Sequence, residues 1–262
     1  MDCKKELFLW GERMIEVKNL SYHKDNKDIL KNISLSFQEN CITGILGANG
    51  SGKTTLLRHL IRELPSHNAI YIGGKEINQI SKKDFAKKIS FISQNTMYIP
   101  EMTIEDIVMM GRYPYKKLFF NYSKEDKKKV EESLLLFNLE NLRQKAIGSV
   151  SGGEAKRAFI ARAFAQNTEI LILDEPINHL DIKHQLALLK LFHKLKEKTI
   201  ILSIHNLEFA LKFCDQIILM KDGKVIEMGK TEAVFSSQKI LEVFEVEVEV
   251  KKIADEKVIM YR

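Results

Sequence analysis

The 262-residue chain is 45% hydrophobic and 29% charged, with a formal net charge of +6. That is enough apolar material to bury a large core, and no apolar run nears the roughly 20 residues that span a bilayer. Its lysines are dispersed among acids and apolar residues, as in "KKDFAKK" and "KEDKKKV", a pattern of solvated helix faces that speaks against a nucleic-acid surface.

In chain order, the start "MDCKKELFLWGERM" lacks a secretory cleavage pattern, so a cytosolic chain is expected. Cys3, Cys41 and Cys214 lack metal-ligand spacing and read as reduced packing thiols. "MIEVKNLSY" alternates apolar and polar residues, which predicts a half-buried strand of an antiparallel sheet. "CITGILG" predicts a buried strand and "TTLLRHLI" an amphipathic helix.

Between them, Gly47-Ala48-Asn49-Gly50-Ser51-Gly52-Lys53-Thr54 fits G-x-x-x-x-G-K-[ST], the phosphate-binding loop. A polyphosphate has to be wrapped by backbone N–H groups, which requires positive φ angles and no Cβ in the way; Gly50 and Gly52 permit that. The helix opening near Lys53 turns its positive dipole end toward the anion. Lys53 offers a point charge to the β- and γ-phosphates, and the Thr54 hydroxyl offers a ligand to Mg²⁺. A bound nucleoside triphosphate is the expectation.

Further on, Thr103 with Asp106 and Ser123 with Asp126 read as capping boxes, and Val130, Leu134 and Phe137 as a core stripe. Ser151-Gly152-Gly153 precedes an amphipathic helix and reads as a second anion-binding helix terminus. "EILILDEP" is a continuous apolar run ending in two carboxylates, as a central parallel strand should. Asp174 at its end suits Mg²⁺, and Glu175, facing another way, suits a general base that polarises water. "QIILMKDGKVIEMG" predicts a hairpin turning at Asp222-Gly223. "FEVEVEV" followed by "KVIMYR" predicts a terminal hairpin over 244–262.

Two phosphate-type sites with a single lysine loop imply that the second serves a nucleotide held by another copy. On these motifs, in this order over residues 14–250, the sequence resembles the ATP-binding subunits of ABC transporters, with "VSGGEAKRAFIARAFA" standing at their signature motif. The resemblance implies an α/β fold: a P-loop NTPase core of mostly parallel sheet, an N-terminal antiparallel β subdomain, and a helical subdomain inserted at about 95–165. It implies ATP and Mg²⁺, with Tyr22 stacking on adenine, Gly47, Asn49, Gly50, Ser51, Gly52, Lys53, Thr54 and Thr55 around the phosphates, and Thr54, Gln94 and Asp174 at the metal. Glu175, His205 and Gln94 are its implied catalytic residues, and Ser151, Gly152, Gly153 and Asp181 of one copy complete the site of the other in a homodimer.

The implied partners are polytopic membrane permease subunits and, indirectly, a solute-binding protein, with no nucleic acid. The chain would then sit peripherally on the cytoplasmic face of the membrane. The "GR-x-P" at 111–114 resembles the branch that imports iron–siderophores, haem and cobalamin, with Met109, Met110 and Tyr113 as docking contacts or as core. Four positions depart from the family pattern without removing a catalytic group: Val150, Lys156, Ser93 and Asn206. The alternative is a non-transport ABC ATPase of a soluble complex such as iron–sulfur cluster assembly, which the "GR-x-P" segment disfavours. A P-loop kinase or plain nucleotide-binding module leaves Ser151-Gly152-Gly153, Asp181 and His205 unexplained.

Overall fold

The computed structural model describes residues 13–93, 98–117, 120–178, 180–195, 197–253 and 256–261. β1 (Arg13–Lys24) and β2 (Lys27–Gln38) form an antiparallel hairpin whose turn residues, Asp25 and Asn26, both take positive φ, as a two-residue hairpin loop matched to strand twist requires. β3 (Ile42–Leu46) is buried at every residue and leads through the glycine loop into α1 (Lys53–Leu60). β4 (Ile70–Ile72) and β5 (Lys75–Glu76) turn around Gly73-Gly74. α2 (Lys82–Lys88), which buries none of its residues, precedes β6 (Ile89–Ile92).

α3 (Ile104–Met109), α4 (Lys124–Leu136) and α5 (Gly152–Ala165) follow, each opened by a capping box: Thr103 with Asp106, Ser123 with Asp126, and Ser151 with Glu154. β7 (Ile170–Leu173), α6 (Ile182–Lys194), β8 (Thr199–Ser203) and α7 (Leu207–Phe213) come next. The chain continues through β9 (Gln216–Lys221), β10 (Lys224–Lys230), α8 (Thr231–Val234) and α9 (Ser237–Phe244). β11 (Val248–Ile253) and β12 (Glu256–Tyr261) pair as an antiparallel hairpin.

The described residues fall into two units, one drawn from Met1–Ile80, Lys196–Ile201 and His205–Arg262, the other from Ser81–Leu195 and Leu202–Ile204. In the first, an antiparallel sheet runs in the order β2-β1-β4-β5, and a second sheet carries β10, β9, β3 and β8 side by side. β9 pairs antiparallel with β10 across the Asp222-Gly223 turn, and parallel with β3. Ile45, Leu46, Leu56, Leu57 and Leu60 are fully buried, so the loop that joins β3 to α1 is anchored on both sides by core. Burial, with the Asp215 carboxylate nearby, pushes the Cys41 thiol up to about 12 and raises Cys214 too, so both behave as packing thiols.

The terminal segment differs from the sequence expectation in one respect. Phe244 belongs to α9, Glu245 follows in a left-handed conformation (φ 59°), and the strand starts only at Val248. The alternation of "FEVEVEV" is overruled because Ser236 caps a helix whose Ile240 and Val243 are buried, and Lys221 holds Glu245 at 2.9 Å.

In the second unit β7 lies between its parallel partner β6 and the end of β8. The predicted stripe of Val130, Leu134 and Phe137 is buried. The "GR-x-P" segment is largely accounted for by packing. A Cβ on Gly111 would lie 2.2 Å from the Arg162 carbonyl oxygen, so only glycine allows this turn to approach α5. Arg112 is buried; its Nε donates to Asp126 Oδ1 at 2.9 Å, its Nη1 donates to the Ala165 carbonyl at 2.7 Å, and its guanidinium lies 3.9 Å from the centre of the Tyr115 ring. Met110 and Tyr113, by contrast, are exposed, Tyr113 at 73%. No helix among the described residues is long and apolar enough to cross a membrane.

Candidate active site

The phosphate-type loop of the first unit is built by exclusion. A Cβ on Gly47 would sit 2.2 Å from the Met220 carbonyl oxygen and 2.6 Å from Ser51 Oγ. Gly50 and Gly52 take φ of 80° and 101°, the left-handed region that side chains rarely enter. Gly52 opens α1 with no side chain capping it, so the amides and dipole of that helix end face the loop's hollow, the arrangement that binds phosphate. Lys53 is 5% exposed, and its Nζ donates to the carbonyls of Gly47 at 2.8 Å and Ala48 at 3.0 Å. Ser51 Oγ is buried without a hydrogen-bond partner among the described residues. A glycine-rich cradle, an orphaned hydroxyl and a buried ammonium together fit a polyphosphate.

Tyr22 is half-buried on β1, and its ring meets His59 of α1 edge-on, with centroids 4.8 Å apart. His59 Nδ1 hydrogen-bonds the Thr55 carbonyl at 2.8 Å, and burial lowers its pKa, which favours the neutral ring. His205, also in the first unit, is half-buried one residue before Asn206, which caps α7 by accepting from the Phe209 amide at 2.8 Å. Asparagine at 206 thus serves as a helix cap in place of the expected aspartate.

The second unit holds the carboxylates. Every residue of β7 is buried, and the chain then delivers Asp174 and Glu175, at 2% and 9% exposure. The Asp174 amide donates to the Ile92 carbonyl at 2.9 Å, which fixes the strand end against β6. Glu175 takes φ of 49°, unusual for a residue with a side chain. Two contacts hold it there: its amide donates to Ser203 Oγ at 2.8 Å, and Asn178 Nδ2 donates to Oε2 at 2.6 Å. Ser203 Oγ in turn donates to Asp174 Oδ1 at 2.6 Å. One fully buried hydroxyl therefore sets both acids. The sequence reading passed over Ser203, although a lone hydroxyl inside the apolar run "TIILSI" is a visible signal.

Lys156 on α5 adds a cation near this pair. Burial lowers its pKa, and the Asp174 and Glu175 charges oppose that shift. Ser151 caps α5, and the Glu154 carboxylate accepts from its amide at 2.8 Å and from its hydroxyl at 2.7 Å, which holds Glu154 below the usual carboxylate range. A Cβ on Gly152 would meet nothing within 4 Å, so nothing in this chain's own packing calls for glycine there. Asp181 caps α6, accepting from the His184 amide at 2.9 Å and pairing with its ring at 2.7 Å, and is held below its ordinary value by those bonds. Gln94 lies outside the described residues. No cluster of three or more His, Cys, Asp or Glu side chains forms a metal centre among the described residues.

The ABC transporter family profile matches residues 30–178, which is more than half of the chain. The chain belongs to the ABC transporter family. Over 252 residues it is 34% identical to the petrobactin import ATP-binding protein YclP of Bacillus subtilis (strain 168), covering 95% of this chain and 99% of that one. It is 32% identical over 220 residues to the ferric enterobactin transport ATP-binding protein FepC of Escherichia coli (strain K12), covering 82% and 81%. Its fold superposes on the dimeric structure of MJ0796, a bacterial ABC transporter cassette, with a TM-score of 0.74 at 30% identity, covering 83% of this chain and 99% of that one. The chain is thus an ABC-type ATPase with the α/β P-loop fold, and these likenesses lend no support to the iron–sulfur assembly alternative.

Proposed function

We propose that this ABC ATPase powers import of a metal chelate, of the iron–siderophore, haem or cobalamin type, by closing as a homodimer on ATP and reopening on hydrolysis. The observation that carries the reading is the end-to-end likeness to a petrobactin import ATP-binding protein, 95% of one chain on 99% of the other. ATP enters with its β- and γ-phosphates on the loop from Gly47 to Thr55; Lys53 Nζ exchanges the Gly47 and Ala48 carbonyls for phosphate oxygens. Tyr22 supplies a face for adenine. Thr54, Asp174 and Gln94 are the oxygen donors for Mg²⁺, hard ligands of the kind that ion takes together with water. When bound, the ion neutralises charge on the phosphate oxygens.

Glu175 accepts a proton from the attacking water, Gln94 orients that water, and His205 hydrogen-bonds the γ-phosphate. Ser203 and Asn178 keep the Glu175 carboxylate and backbone fixed while it does so. Ser151, Gly152, Gly153 and Asp181 act on the nucleotide held by the second copy, which gives a reason for the open glycine at 152.

The membrane-side partner is a polytopic permease, with a solute-binding protein delivering the cargo to it and this chain peripheral on the cytoplasmic face. Supporting a seat for the permease, a groove of about 510 Å³ in the second unit is lined by Lys82, Lys83, Tyr113, Pro114, Lys116 and Lys117. Its four lysines suit a cytoplasmic segment carrying acids. The test is to tag the chain in its native cell, solubilise membranes gently and identify what co-purifies. A polytopic membrane protein with a solute-binding protein is the expected result; soluble partners alone, with the chain absent from membranes, would overturn the transport reading.

A further inference from the structure

A cavity of about 340 Å³ opens in the second unit, remote in sequence from the phosphate loop and untouched by the residues given catalytic roles above. Its wall is apolar: Phe137 at the end of α4, Ile160 on α5, and Leu188 and Leu191 on α6. Phe137 packs edge-on against Phe164, with centroids 5.0 Å apart, and Phe164 stacks on Phe192 at 6.3 Å, so an aromatic cluster continues from the wall into the core. The charged residues that line it are all basic: Arg157, Lys190 and Lys194, with His184 beside them and no Asp or Glu. Arg157 is half-buried and reaches the lining from α5. The cavity's volume lies at the lower end of the range of about 300–1,000 Å³ usual for small-molecule pockets, which are apolar with a few convergent polar groups.

We infer that this cavity binds an amphipathic anion: a single carboxylate head met by Arg157, Lys190 and Lys194, on an aliphatic or aromatic body that fills the space between Phe137, Ile160, Leu188 and Leu191. The head meets the three cations of the lining in charge-assisted bonds, the strong kind. The body replaces water against the apolar wall. α5 carries Ser151-Gly152-Gly153 at its start and α6 carries Asp181 at its own, and the occupant bridges the middle of α5 and the later turns of α6. The inference stands apart from the ATPase reading, because binding is measured without nucleotide.

The probe is decanoate, titrated into the full chain by isothermal calorimetry and by displacement of 8-anilinonaphthalene-1-sulfonate fluorescence. From its size, one equivalent is expected to bind with a Kd on the order of 100 μM. Decanol, with the same body and no charge, should bind at least about tenfold more weakly, since charge-assisted contacts carry the head. Ala187 lines the mouth on the exposed side of α6, so Ala187→Trp fills the site from outside without entering the core and should abolish binding. The double variant Lys190→Glu/Lys194→Glu, also exposed, should weaken decanoate at least about tenfold and leave decanol unchanged. Equal binding of decanoate and decanol, or binding that survives Ala187→Trp, or no saturable binding at all, would each overturn the assignment.

Discussion

Replacing Ser203 by alanine removes a hydroxyl that is 0% exposed and bonded to both acids at 2.6 and 2.8 Å. The bond to the Asp174 carboxylate is worth about 1.5–3 kcal/mol, and the Glu175 amide left buried and unpaired costs about 1–3 kcal/mol. The αL backbone of Glu175 is itself uphill by about 1–2 kcal/mol for a residue with a side chain, so losing its anchor lets it relax. A general base displaced by about 1 Å can lose up to about 10²-fold in rate. We therefore expect Ser203→Ala to lower kcat about 10–100-fold, or roughly 1.4–2.7 kcal/mol in the barrier. The KM for ATP should change less than kcat, because the hydroxyl touches no residue of the phosphate loop and reaches the nucleotide only through Asp174. Steady-state phosphate release at saturating ATP, with fluorescent-nucleotide binding alongside, measures both. Ser203→Thr keeps the hydroxyl and should retain most of the rate. A kcat within about twofold of wild type for Ser203→Ala, or a loss confined to KM, would refute the reasoning.

Arg112→Leu leaves Asp126 charged and buried and frees the Ala165 carbonyl, which should cost about 3–5 kcal/mol and lower the urea midpoint of the second unit. Burial alone would raise the Asp126 carboxyl, but bonds from Ser123 and Arg112 outweigh it and hold the group below its ordinary 3.8. The stability it contributes is therefore full above 3.8 and lost as pH falls through the lower folded value; Arg112→Leu should flatten that acid limb, and an unchanged limb would contradict the pairing. Lys156, whose pKa is lowered by burial, makes wild-type stability climb as pH rises from its folded value toward 10.5. Lys156→Gln should remove that climb in alkaline urea titrations, and a persisting climb would contradict the burial argument. Changing Lys82, Lys83, Lys116 and Lys117 together to glutamate should leave basal ATPase of the isolated chain within about twofold while abolishing co-purification of the permease, a charge effect on docking. Retained co-purification would exclude that groove as the seat.

Short-range features were legible in the sequence, because local chemistry decides them. The capping residues at Thr103 and Ser123, the Asp222-Gly223 hairpin and the lysine loop each sit within a few residues of what they bond. Illegible features depend on pairings far along the chain. Ser203 reaches Asp174 across 29 positions. Asp126, visible as half of a capping box, has a second task in holding Arg112 that no local pattern announces. Gly111 and Arg112 resembled a marker of one transporter branch; packing of that turn on α5 explains both, while Tyr113 stays exposed. "FEVEVEV" misled only at its start, where the capped helix claims Phe244 and Glu245 turns left-handed, while Val248, Glu249 and Val250 enter the strand.

The most direct test of the account is uptake of radiolabelled ferric siderophores, haem and cobalamin by cells deleted for this chain and complemented with either wild type or Glu175→Gln. A general base is typically worth about 10²–10⁴-fold, so the variant should fail to power import although its phosphate loop is intact. Deletion should abolish uptake of at least one of these chelates, wild type should restore it and Glu175→Gln should not. Uptake of all of them untouched by deletion, or restored by Glu175→Gln to the wild-type level, would contradict the account.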